Sequence, residues 1–320
     1  MAGSTASIKI PCPKCGFEEP ESATECSRCG IVFGKWTPSP AASRHPLPVG
    51  EGTADDDDVA DGRFGPAELR ILAIGLVAAI VVCSISFARF IFHPIITLVH
   101  ELGHAIAGWL LGYPSIPSFD FVYGGGITPH GAFQIAIALF IAGAFAYAGY
   151  TFRQSPRAVA LIAGVFLVWL FIVTSEWRRL LVVEAAGHAS ECIFAGIFLY
   201  MAIAGIGWRI PELERPLGAF VAFFIEINMI LFCLDLMHNQ DFLENYRQGK
   251  GGMLMHDIDA ISADLTIHTP WHPSIQSLAF LLLLFSFVPM TVAVLWYLRR
   301  GQVHRVITSL YAPQADGPGG

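Results

Sequence analysis

Long apolar runs, each bounded by a few charges, prolines or glycines, fill the chain from about residue 67 to residue 300. The first, Leu69 to Phe92, is long enough to cross a bilayer and has Arg70 and Arg89 near its ends. Pro94 is expected to break or restart the helix, because proline removes a backbone donor and crowds the preceding turn. A second helix then runs to about Leu111. Residues 112–130 are rich in glycine and proline and read as turns. Further runs cover about Ala132 to Tyr150, Ala158 to Thr174, Ser190 to Trp208, Leu217 to Leu236 and Ile275 to Tyr297. A long polar loop is expected from Met237 to about Pro273. The pattern predicts an all-α, multi-pass membrane bundle of about seven hydrophobic segments over residues 67–300, with a polar tail at 301–320.

Composition agrees with this reading. Hydrophobic residues make up 54% of the chain and charged residues 14%, against about 25% charged in a soluble protein. The net charge of −7 comes largely from Asp55 to Asp58 and the acidic N-terminal region, so it says little about the membrane part. No basic stripe with interleaved aromatics is present, so a nucleic-acid partner is not expected. Met1 to Ile10 is too short and polar for a secretory h-region. Residues 37–66 combine a Pro/Ala/Ser-rich stretch with the acidic run and read as a disordered linker.

The cysteines divide by position. Cys83, Cys192 and Cys233 sit in apolar runs and read as small core fillers. Within residues 1–36, Cys12-Pro-Lys-Cys15-Gly and Cys26-Ser-Arg-Cys29-Gly form two Cys-x-x-Cys-Gly knuckles. Four thiolates in two knuckles make a closed tetrahedral set, which points to structural zinc and a minimal ribbon. Two disulfides or a redox pair would be the other uses, but no thioredoxin-like strand–helix context surrounds them. The ribbon resembles the small zinc ribbons at the N-termini of many bacterial membrane proteins, which implies docking or regulation through a protein partner.

The second helix carries His100-Glu101-Leu102-Gly103-His104. On a helix, His100 and His104 share one face and can bind a single zinc ion, while Glu101 flanks it about 100° round. Zinc lowers the pKa of water from 15.7 to about 7, so a carboxylate there can complete its activation. The segment spans about 27 Å, which places both histidines near mid-depth. An ionisable group in a span costs about 2.5–3.5 kcal/mol on the insertion scale and marks function by default.

His-Glu-Leu-Gly-His inside an apolar helix of a many-span protein resembles the site-2 protease family, zinc metallopeptidases that cut within membranes. The resemblance covers residues 70–300 in outline and this motif closely. It implies a transmembrane protein substrate in the lipid bilayer and a short extended element beside the site, for which Phe119 to Tyr123 is the candidate. It also implies an aspartate ligand from an Asn-x-x-Pro-x-x-x-Leu-Asp-Gly pattern, of which Asn228 to Leu234-Asp235 is a partial echo that lacks the proline, the final glycine and one residue of spacing. Asp257 and its neighbour His256, after the flexible Gly249-Lys250-Gly251-Gly252, are the first choice for the third ligand. Asp235 follows, then His188, Glu191 and Glu226, each of which can also be a polar residue bridging helices.

The expected activity is therefore an intramembrane zinc metalloendopeptidase with one catalytic and one structural zinc. Glu101 would be its general base. A non-catalytic scaffold or sensor with a structural metal site is the first alternative, and a metal or proton transporter the second. Orientation draws on opposing signals. Arginines at 153, 157, 209, 215, 299 and 300 favour one side as cytoplasmic. The reduced thiols of a zinc ribbon favour the other, and the ribbon is placed in the cytoplasm on that ground.

Overall fold

The computed structural model describes residues 9–12, 18–20, 23–27, 32, 63–119, 125–248 and 255–303. The chain forms two compact units, residues 1–58 and 59–320. In the first, β1 (Lys9–Pro11) pairs antiparallel with β2 (Glu18–Pro20), and Glu25 bridges to Val32. Cys12 and Cys26 are buried. Cys15 and Cys29 lie outside the described residues, as does most of the linker.

Among the described residues, the regular elements of the second unit are helices and one small hairpin. α1 (Pro66–Ser84) opens with proline at its first position, where the missing N–H would have no helical partner. It stops at Ile85, which is extended, and Ser84 Oγ donates back to the Ile80 carbonyl at 2.7 Å. α2 (Ser86–Leu110) follows at once. The helix break expected at Pro94 is thus displaced to Ser84–Ser86, and Pro94 lies inside α2, where neighbouring helices can absorb the lost backbone bond. A hairpin of β3 (Ser118–Phe119) and β4 (Gly126–Ile127) succeeds it, then α3 (Ile135–Thr151) and α4 (Pro156–Val173), the latter capped by Ser155.

α5 (Glu176–Ala204) starts well before the expected Ser190. Its first half carries Arg178, Arg179, Glu184, His188 and Glu191, which depress local hydropathy although the helix continues through them. It ends at Gly205 with φ +70°, a left-handed conformation that glycine adopts without steric cost. α6 (Pro211–His238) also outruns its expected bounds. The expected polar loop holds two helices, α7 (Gln240–Gln248) and α8 (Asp257–His268), and α9 (Ile275–Leu298) closes the bundle.

Six of these helices, α1, α2, α4, α5, α6 and α9, are long and apolar enough to cross a membrane, and α3 is a shorter apolar helix. The protein is mainly helical and of multi-pass type. α6 lies at the centre: Phe220, Phe224 and Ile225 pack with Ala79 of α1, Ile96 of α2 and Ala195 of α5. A second core joins Leu236, Leu243 of α7, Ile258 of α8, and Ile275 and Ala279 of α9. This cluster fixes where α8 begins. Truncating a buried isoleucine such as Ile258 to alanine costs about 2–5 kcal/mol. α2 and α5 approach through small residues: a side chain at Gly103 would strike Ser190 and the Ala186 carbonyl.

A candidate metal centre and the cavity around it

α2 and α5 run side by side, and Ser190 Oγ donates to the Val99 carbonyl at 2.8 Å. Their contact brings His100 and His104 against Gly187, where any Cβ would collide with both rings. The two Nε2 atoms lie 3.0 Å apart. Asp257, the first residue of α8, brings Oδ2 to 2.8 Å from His100 Nε2 and 3.1 Å from His104 Nε2.

The outer ring nitrogens settle the tautomers. His104 Nδ1 meets the Val183 carbonyl at 2.7 Å, and since a carbonyl only accepts, Nδ1 carries the hydrogen. His100 Nδ1 likewise donates to Glu191 Oε1 at 2.6 Å. Both rings therefore turn Nε2 inward, toward each other and toward a carboxylate oxygen. Two ring nitrogens and a carboxylate oxygen drawn this close in a buried site need a proton or a cation among them. Donors about 2.0–2.1 Å from a tetrahedral zinc lie about 3.3 Å apart, and the three separations here, 3.0, 2.8 and 3.1 Å, are each shorter than that by about half an ångström or less. The donor set of two imidazoles and a carboxylate fits zinc, and the Glu191–His100 bond is the outer partner that a metal-bound histidine usually has.

Burial alone would raise the Asp257 carboxyl, but its contacts with His100 and His104 outweigh burial and hold it well below the usual carboxylate range. Tyr246 supports the start of α8: its hydroxyl accepts from the Ile258 N–H at 3.3 Å, one of the donors that a helix start leaves without a partner. Burial, with Asp257 nearby, pushes that hydroxyl well up, so it stays protonated. His256, the other half of the first-choice pair, stacks on the Tyr246 ring at 4.4 Å.

Glu101 is buried beside the histidines. Its Oε2 accepts from Thr128 Oγ1 at 2.6 Å, and Gly126 leaves the room that the carboxylate occupies. Thr128 follows β4 directly, so the hairpin holds the carboxylate. Phe119, at one end of the expected extended element, is in β3, while residues 120–123 lie outside the described residues. His130, two positions beyond Thr128, bonds through Nδ1 to Ser115 Oγ at 3.0 Å. Burial lowers its pKa.

The other expected candidates are distributed around this point. Asp235 lines the same cavity, of about 870 Å³, with Met229 and Phe232. His188 Nδ1 lies 3.1 Å from Glu191 Oε1. One donor atom each from His100, His188 and Asp257 lie within 4.8 Å of one another, so His188 adjoins the centre. Glu191 orients both rings. Glu226 is elsewhere, accepting from Ser286 Oγ at 2.8 Å.

Sequence reasoning missed Thr128, Gly126, Gly187, Tyr246 and Glu184, the last of which lines the same cavity. One signal was present for part of this group. Glu184, Gly187, His188 and Glu191 recur at three- and four-residue spacing, which on a helix makes a single face. Nothing local in the sequence ties Thr128 to Glu101.

Comparison of the chain with protein-family models, with curated proteins and with solved structures gave no match.

Proposed function

We propose that this chain is an intramembrane zinc metalloendopeptidase similar to the site-2 proteases. The observation that carries the reading is the convergence of His100 Nε2, His104 Nε2 and Asp257 Oδ2 beside the buried Glu101 carboxylate. These three residues would hold the ion. When bound, it supplies a Lewis acid that polarises a peptide carbonyl and lowers the pKa of water. Glu101, held through Thr128, takes the proton from the attacking water and passes it to the leaving amine. Glu191 and the Val183 carbonyl keep both rings in the tautomer that presents Nε2 inward. Buried surroundings exclude bulk water and strengthen each charge interaction.

A peptide bond in a helix is shielded by its own hydrogen bonding, so the substrate is a transmembrane segment that unwinds locally. The β3–β4 hairpin offers such a segment an edge to pair with, directly over Glu101. The N-terminal unit is a zinc ribbon held by Cys12, Cys15, Cys26 and Cys29, and it selects or recruits the protein partner from the cytoplasmic side.

The test uses full-length protein purified in detergent and a single-span reporter followed on a gel. Unmutated protein cleaves the reporter. Glu101→Gln keeps the shape but cannot take a proton at neutral pH, so cleavage disappears while zinc stays bound. Cleavage by Glu101→Gln at the unmutated rate would falsify the mechanism. Solute flux that survives Glu101→Gln, with no cleavage by the unmutated protein, would point to a transporter instead.

A further inference from the structure

The cavity has a second polar end that the metal centre does not use. α2 exposes Phe87, Phe90 and Ile91 on one face. On the other, Arg89, His93, Ile96, Thr97 and His100 line the cavity at three- and four-residue spacing. Arg89 is thus turned inward, although it belongs to a helix apolar enough to span a membrane. A cation kept in such a place faces a cavity or a partner.

Arg89 is built in. Its Nε donates to Asn228 Oδ1 at 2.7 Å, and Asn228 is fixed in turn by donating to the Phe224 carbonyl at 2.7 Å. Among the described residues no carboxylate forms an ion pair with it. The bond at Nε sets the plane of the guanidinium and leaves its two terminal nitrogens as a planar fork. That fork matches the two oxygens of a carboxylate.

Distance gives the position of the ligand. Arg89 and His100 are eleven residues apart on α2, about 16 Å at 1.5 Å per residue. An extended peptide advances about 3.3 Å per residue, so about five residues bridge that span. We propose that Arg89, oriented by Asn228, binds a carboxylate of the peptide substrate and so selects an acidic group about five residues from the bond that is cut. The identity of the ligand as a peptide rests on the peptidase reading. The carboxylate can come from an aspartate or glutamate side chain or from a chain terminus.

Full-length Glu101→Gln protein in nanodiscs of phosphatidylcholine separates binding from cleavage. The probes are fluorescent single-span peptides of leucine and alanine with a central Gly-Gly pair. One set carries Asp or Asn about five residues from that pair, and another ends at that point with a free or an amidated terminus. At least one carboxylate form should bind about tenfold more tightly than its neutral counterpart, the gain of one charge-assisted pair. Adding Arg89→Gln should reduce that preference to less than about twofold, and Arg89→Lys should keep part of it. If Arg89→Gln does not fold, Asn228→Leu, which releases the guanidinium, should weaken the preference in the same way. No preference in either set, or one that survives Arg89→Gln, overturns the assignment. With Glu101 restored, cleavage without acidic preference removes this inference and leaves the peptidase. Selective binding without any cleavage keeps the role of Arg89 and removes the peptidase.

Discussion

The helix pair α3–α4 and the helix pair α2–α5 are both apolar, yet they are used in opposite ways. Side chains of α3 and α4 such as Phe140, Tyr147, Leu161 and Phe171 are exposed, and at Gly143, Gly149 and Gly164 nothing lies within 4 Å of where a side chain would begin. In α2 and α5, Gly103, Gly187 and Gly196 each lie against a neighbouring element. The more polar pair is the more tightly packed. Between apolar helices in lipid, close packing of small residues and interhelical hydrogen bonds drive association, because lipid tails are as apolar as leucine. The two histidines of the candidate centre also make hydrogen bonds that join these helices.

This contrast can be broken most sharply at Gly187. A leucine there would occupy the space of both imidazoles, so Gly187→Leu should lose the membrane-site zinc and all cleavage, measured as zinc per chain and reporter turnover. Glu191→Gln acts one step back from the metal. It keeps a hydrogen bond to His100 but removes the charge, and zinc affinity should fall about 10–100-fold in a competition titration with a chelator. Thr128→Val removes the 2.6 Å bond to Glu101 without touching a ligand. Its cleavage rate should fall about tenfold with zinc content unchanged. The smallest effect belongs to the other pair. Gly143→Ala and Gly164→Ala meet open space and should leave zinc and cleavage alone while raising thermal stability by up to about 1 kcal/mol. A large loss at either position would show that α3 and α4 carry a contact that this structure lacks.

Much of this was legible in the chain, for physical reasons. Apolar runs gave every long helix, because length and hydropathy are what a bilayer selects. His100, Glu101 and His104 stood out because helical spacing turns a five-residue string into one face. The start of α5 did not, since charged residues that face a polar interior look like the end of a span. α7 and α8 were hidden as well: a short helix held by Leu243 or Ile258 in a shared core leaves little periodic signal. Pro94 misled because its penalty is that of an isolated helix, and inside α2 neighbouring helices can absorb the lost backbone bond. Thr128 and Tyr246 act through contacts that only the fold creates.

The most direct test is the zinc count of the full-length protein with Asp257→Ala set beside Asp235→Ala, the two aspartates that line one cavity. About two zinc ions per chain are expected for the unmutated protein and for Asp235→Ala, and about one, in the ribbon, for Asp257→Ala. Asp257→Ala that keeps both ions, or unmutated protein that binds none outside the ribbon, would contradict the metal centre.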